Sequence, residues 1–137
     1  MWTITGFADE ISKNLDEQIE LLTTLGIGYV EFRSSWGTKV LDLSKEQLDT
    51  AKEKLDAAGI KVSSVGSDLG KIFITDPFEA HLERARHGVE VAKFFGSRYI
   101  RMFSFFIPEG QDPNQYRDEV MERTRAMVRL AEAGGIT

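Results

Sequence analysis

Leu25-Gly26-Ile27-Gly28-Tyr29-Val30-Glu31-Phe32-Arg33 changes its hydrophobic period in the middle. Upstream, Ile19, Leu22 and Leu25 recur at helical spacing. Downstream, Val30 and Phe32 alternate with Glu31 and Arg33, the pattern of a strand with one apolar face. Gly26 between them suits the left-handed position just past a helix C-terminus. The stretch therefore reads as a helix stop followed at once by a strand start. Three further junctions share the pattern: Ala58-Gly59-Ile60-Lys61-Val62, Phe95-Gly96-Ser97-Arg98-Tyr99-Ile100 and Ala133-Gly134-Gly135-Ile136. Their first glycines are spaced 33, 37 and 38 residues apart, so one supersecondary unit recurs along the chain.

The helix starts agree with the stops. Ser44-Lys45-Glu46-Gln47 and Asp76-Pro77-Phe78-Glu79 each offer a capping residue with Gln or Glu three positions on, and Asp112-Pro113 repeats the second opening. Leu48, Ala51 and Leu55, then Val89, Ala92 and Phe95, then Val120, Met127 and Leu130 give each later helix an apolar stripe. Strands are predicted at about residues 3–8, 28–33, 61–66 and 98–104. Strands alternating with helices of this length imply right-handed crossovers and a parallel sheet, hence the α/β class.

Two architectures fit such a sheet. A doubly wound sheet, as in a flavodoxin-like binding module, buries both faces of its central strands and makes them nearly all apolar. Here Glu31 and Arg33 share one face, and Tyr99, Arg101 and Phe103 oppose Ile100 and Met102. One charged face favours an arc of a (β/α) barrel, with the apolar face packed on helices and the polar one turned inward. An eight-unit barrel takes about 250 residues, so four units in 137 residues read as half a barrel, a single (βα)4 domain over residues 1–137.

Composition narrows the function. Seventeen Lys and Arg against 22 Asp and Glu give a net charge of −5, which offers no overall footprint for nucleic acid or an anionic membrane. The absence of cysteine excludes disulfides, a thiol nucleophile and thiolate-held metals. With no signal-like or membrane-spanning run, the chain reads as soluble and cytoplasmic, with a small molecule or another protein as partner.

Four segments then carry a resemblance: Gly6-Phe7-Ala8-Asp9-Glu10, Tyr29-Val30-Glu31-Phe32-Arg33, Ala57-Ala58-Gly59-Ile60-Lys61-Val62 and Arg101-Met102-Phe103-Ser104. In order and spacing they resemble sugar phosphate isomerases/epimerases of the xylose-isomerase-like TIM-barrel superfamily. The resemblance implies an isomerase or epimerase of carbohydrates that uses a divalent cation, Mn²⁺ or Mg²⁺. It also implies metal ligands at the ends of the fifth to eighth strands, beyond the four units found here. These residues are therefore expected to carry the substrate side of the site without the metal centre, and to be inactive alone. A self-associating half-barrel that closes eight strands as a homodimer is the alternative.

Strand C-termini carry the chemistry of barrels, and they select Phe7, Glu31, Arg33, Trp36, Ser67, Arg101 and Ser104 as candidate substrate-binding residues. Glu31, Arg33 and Arg101 either grip sugar hydroxyls or a carboxylate, or form an ion-pair network among themselves. Phe7 and Trp36 either wall a sugar pocket or plug the barrel mouth. The apolar run Phe103-Ser104-Phe105-Phe106-Ile107 is a lid, an association surface or plain core. Asp9-Glu10 is too small a set for a tight cation site. His81 and His87, six residues apart on a helix, cannot chelate one ion and read as surface or packing residues. Gly66-Ser67-Asp68-Leu69-Gly70-Lys71 fails as a phosphate loop, being one residue short between its glycines and having Ile72 after the lysine.

Overall fold

A computed structural model describes residues 2–137. Four α-helices, α1 (Leu15–Thr24), α2 (Lys45–Ala57), α3 (Glu79–Phe94) and α4 (Arg117–Ala133), alternate with β1 (Tyr29–Phe32), β4 (Lys61–Leu69) and β5 (Ile100–Met102). A short hairpin, β2 (Ser34–Ser35) and β3 (Thr38–Lys39), follows β1, and 3-10 turns occupy Ala8–Glu10, Val40–Asp42 and Pro113–Tyr116. β1, β4 and β5 pair in parallel in that order, so within this sheet spatial order follows chain order. A doubly wound sheet reverses its strand order part-way along. The consecutive order here is that of a barrel arc, and a flavodoxin-like module falls away.

The junctions form as their glycines dictate. Gly26, Gly59 and Gly96 have φ of +67°, +70° and +68°, each one residue past a helix cap. At the fourth junction the left-handed residue is Gly135, φ +71°, while Gly134 is the cap. The Ser44 capping box forms with Gln47 as expected. Asp76 does not cap α3: its carboxylate accepts from Phe73 N at 2.9 Å, and the helix opens two residues beyond Pro77. Asp112 caps the 3-10 turn that leads into α4, accepting from Asn114 N.

The expected strand at 3–8 is not a full ladder strand. Residues 2–7 run beside β1 without forming a continuous ladder, joined to it where Glu31 N donates to Gly6 O at 2.9 Å, and Thr5 Oγ1 reaches Ser63 Oγ at 2.6 Å. Trp2 and Ile4 are exposed, so little apolar burial holds this segment flat on its neighbour. At the opposite edge Thr137 N donates to Arg98 O at 2.7 Å and Thr137 O accepts from Ile100 N at 2.9 Å, the bond pair of a parallel strand beside β5.

The side chains divide as the alternation predicts. Val30, Phe32, Val62, Val65 and Leu69 are buried against the helices, where Phe32 meets Phe95 edge to face at 5.2 Å. Burying a side chain of that size contributes about 1.5–3 kcal/mol, whereas an exposed ion pair contributes about 0–1 kcal/mol. The apolar face therefore holds the sheet to its helices, and the charged face is free to vary with function. Leu25, the last residue of the expected α1 stripe, is exposed because the helix has already ended; Leu15, Gln18 and Leu22 form the buried stripe instead.

Candidate functional site

Hollows lie at both ends of the strands. The larger, about 740 Å³, is lined by Thr3, Tyr29, Lys61 and Arg98 at the strand starts, the end that serves stability in barrels. The smaller, about 260 Å³, lies at the strand ends and is lined by Asp9, Arg33, Ser34, Lys39, Gly66, Asp68, Lys71 and Arg101, with Val40 and Leu41. This end carries barrel chemistry, and the lining here is mostly charged.

Arg33, directly after β1, donates from Nε to Asp9 Oδ2 at 2.8 Å and from Nη2 to Glu10. Ser34 Oγ donates to the same Asp9 oxygen. Burial pushes the Asp9 carboxyl up, but the Arg33 and Ser34 hydrogen bonds and the guanidinium charge outweigh it, leaving the group below its ordinary 3.8. The Asp9 hydrogen bond, then that of Glu10, raises Arg33 above its ordinary range. Asp9 Oδ1 is buried without a partner among the described residues.

Across the cleft Asp68 accepts from Lys39 Nζ and Arg84 Nη2, both at 2.9 Å, and Arg84 also holds Asp42. Burial opposes ionisation of Asp68, yet the Lys39 and Arg84 hydrogen bonds keep its pKa lowered. Lys39 reaches the cleft because the β2–β3 hairpin folds the chain back. Trp36 and Gly37 occupy the hairpin turn with φ of +54° and +74°, the signs that a type I′ turn requires.

Between the two acidic groups runs a stack of rings and cations. The Arg33 guanidinium lies 4.5 Å from the Phe7 ring centroid and that of Arg101 lies 5.1 Å from it. Arg101 is also 4.9 Å from the Phe103 centroid, and Lys71 Nζ is 4.5 Å from the same ring. Arg101 spends Nε and Nη2 on the carbonyls of Ser67 and Gly66 at 3.0–3.2 Å. β4 can approach this closely because residue 66 is glycine: a Cβ there would lie 2.9 Å from Arg33 Cβ.

Of the residues expected from sequence, Phe7, Arg33 and Arg101 converge. Glu31 is half-buried on the same face and pairs with neither arginine, so the three-way ion network does not form. Trp36 packs against the core beside its turn. Ser67 is buried on the helix side, its hydroxyl spent on Arg101 O and Leu69 N. Ser104 is exposed, outside the cleft lining. In the run after β5, Phe105 is buried, while Phe106 is exposed and bridges Phe73 in parallel. His81 is a buried packing residue whose Nε2 accepts from Gly70 N at 2.7 Å, and His87 is exposed. Lys39 and Lys71 are cleft residues that sequence reasoning missed.

The residues present do not fit a divalent cation. Asp9 and Glu10 are both engaged by the Arg33 guanidinium, Asp68 by Lys39 and Arg84, and among the described residues no three His, Asp or Glu side chains converge. Nor is any described helix long and apolar enough to cross a membrane.

The sequence pattern of a family described as xylose isomerase-like TIM barrel matches residues 19–137. No curated protein matches. Solved structures do, at low identity. A xylose isomerase-like TIM barrel protein from Mycobacterium smegmatis in complex with magnesium is 19% identical, with a TM-score of 0.74 over 100% of this chain and 54% of that one. An IolI protein with a bound zinc atom is 18% identical, TM-score 0.73, over 97% and 49%. A D-psicose 3-epimerase from Clostridium cellulolyticum H10 with D-tagatose is 14% identical, TM-score 0.70, over 96% and 50%. The chain thus spans about half the length of the structures it matches, and at these identities the likeness is one of fold.

Proposed function

The chain belongs to the xylose isomerase-like TIM barrel family, and on that premise we propose that it supplies the N-terminal half of a sugar isomerase or epimerase, with the substrate-side wall of the site. The observation that carries this reading is the charged cleft at the C-terminal ends of consecutively ordered parallel strands. Epimerases among the solved relatives, one of them holding D-tagatose, support a carbohydrate ligand. Lys71 and Arg101 line the cleft as donors for hydroxyls, and Asp9 and Asp68 line it as acceptors. Two relatives hold magnesium and zinc; a divalent metal would supply carbonyl polarisation in such chemistry, and the residues described here furnish no site for it. The 137 residues act as one cytoplasmic domain that binds a polyol and does not turn it over.

Ketose epimerisation assayed with Mn²⁺, with Mg²⁺ and with neither tests this. No turnover under any condition is expected, and robust metal-dependent activity of the 137-residue chain overturns the incompleteness. A second reading is closure with a second copy, favoured by the exposed edge at Trp2 and Ile4 and by the parallel pairing position that Thr137 marks beside β5. Light scattering at tens of micromolar would then give twice the 15.4 kDa chain mass; a monomer mass rejects it.

A further inference from the structure

The two carboxylates that line the cleft, Asp9 and Asp68, are already held by cations, and two lining cations have no carboxylate; Glu31, half-buried on the same face, lies outside the lining. Asp9 and Glu10 hold Arg33, Asp68 holds Lys39 and Arg84, and Asp42 holds Arg84 as well. Lys71 and Arg101 both line the cleft, and neither has a carboxylate partner among the described residues. Their neighbours are the Phe103 ring, which both approach, and for Arg101 the carbonyls of Gly66 and Ser67. A guanidinium has five N–H donors. Three are engaged from Nε and Nη2, leaving the Nη1 pair. The protein as a whole carries −5, whereas the five cations named here exceed the four carboxylates of these ion pairs by one, so the local excess is not the spill-over of a basic surface.

We propose that Lys71 and Arg101 form a carboxylate-binding subsite, so that the ligand of this cleft is a polyhydroxylated acid rather than a neutral sugar. The inference rests on the sugar-binding reading above and narrows its substrate class. Arg101 presents its remaining donors from a guanidinium whose plane is fixed by the two carbonyls and the flanking rings of Phe7 and Phe103. Lys71, on an exposed and flexible stem, closes over the same anion as a point charge. A carboxylate fits better than a phosphate. Phosphate sites recruit the N-terminal amides of a helix, and none of the four α-helices begins at this cleft.

Calorimetric titration of the 137-residue chain at fixed ionic strength with D-gluconate, D-glucitol, D-glucitol 6-phosphate and acetate tests the assignment. D-Gluconate is expected to bind roughly tenfold or more tightly than D-glucitol, the scale of one charge-assisted contact. Lys71→Gln should abolish most of that margin, and Lys71→Arg should keep it. Residue 71 is exposed, so neither variant threatens the fold. Equal binding of gluconate and glucitol overturns the subsite while the sugar reading stands, and so does a gluconate preference that Lys71→Gln leaves intact. Tighter binding of the phosphate ester overturns the choice of carboxylate. Acetate binding as tightly as gluconate, and lost in Lys71→Gln, supports the cation pair but refutes the sugar reading.

Discussion

Replacing Gly70 by alanine should do more damage than any other single methyl group added near the cleft. The residue has φ +83°, a conformation that costs an L-residue about 1–2 kcal/mol. It also faces backbone. A Cβ at position 70 would lie 1.8 Å from the carbonyl oxygen and 2.5 Å from the carbonyl carbon of Phe103. That carbonyl cannot swing aside freely, because Phe103 N donates to Leu69 O at 2.7 Å and ties the end of β5 to the end of β4. Relieving the overlap means losing that bond, about 1 kcal/mol, and displacing packed chain, about 1–3 kcal/mol. The total is about 3–6 kcal/mol, a large share of a typical domain's stability. Gly26→Ala isolates the conformational part: φ is +67° there, and nothing lies within 4 Å of the added carbon. Urea unfolding of both variants measures the difference. Gly70→Asn adds a third comparison, because asparagine tolerates positive φ yet carries the same Cβ; it should be nearly as damaging as alanine. If Gly70→Ala lost no more stability than Gly26→Ala, or if Gly70→Asn were restored to the native value, the close approach of β4 and β5 described here would be wrong.

His81 ties the same corner to α3 in a pH-dependent way. Burial above all holds its pKa below 6.5, with Arg84 and Arg123 pressing the same way and Asp68 opposing. The folded state therefore binds its proton less readily than the unfolded chain, so the His81 contribution is complete above pH 6.5 and is lost as pH falls towards the depressed folded value. Urea unfolding between pH 7.5 and 5 should show this loss and His81→Gln should flatten it; an unchanged slope in the variant refutes the link. Asp9 behaves likewise at lower pH, its contribution present above 3.8 and lost as pH falls through the lowered folded value, and Asp9→Asn should shift the acid-unfolding midpoint upward. Ser44→Ala removes half of the α2 capping box and should lower stability by about 1 kcal/mol without altering ligand titrations.

Much of the architecture is legible because it rests on period and punctuation. The glycines at 26, 59 and 96 stop helices wherever they recur, and Val30 and Phe32 against Glu31 and Arg33 disclose which face of the sheet is dry. The hairpin is not legible in the same way. Its turn begins with Trp36, where Asn, Asp or Gly is the usual signal, and with the hairpin unseen Lys39 has no reason to return to the cleft. Lys71 is missed for a related reason. The predicted strand stops at residue 66, whereas β4 continues to Leu69 through a register shift opposite Val30 and Glu31. Val62-Ser63-Ser64-Val65 holds the trace of that shift, since two serines between two valines break a period of two. Ser67, expected in the site, thereby turns to the helices, and Asp68 beside it turns to the cleft. The Asp76-Pro77 opening misleads because a short acidic side chain can satisfy a preceding backbone amide as readily as a helix terminus.

The rings settle how so much like charge can share one end of a small sheet. Arg33, Arg101 and Lys71 repel one another, and a bare cluster of three would be expelled towards solvent. Phe7 stands between the first two and Phe103 beside the last two. Each cation–ring contact contributes about 0.5–1 kcal/mol at a partly exposed site and spaces the charges apart, while Asp9 and Glu10 neutralise Arg33 alone. The stack thus carries two carboxylates on one arginine at one end and two cations without a carboxylate at the other, with its direction fixed by residues at the ends of different strands. A ligand with a charged head and hydroxylated body would lie along it in a single sense, head at Lys71 and body towards Asp9. Changing the charge at the other end tests that orientation directly: Glu10→Gln removes one of the two carboxylates on Arg33, leaving the Arg33–Asp9 pair neutral, without touching Lys71, and should bring gluconate and its uncharged analogue no closer in affinity. If it erased the preference, the charge at the cleft would be acting as a diffuse field rather than through a placed pair.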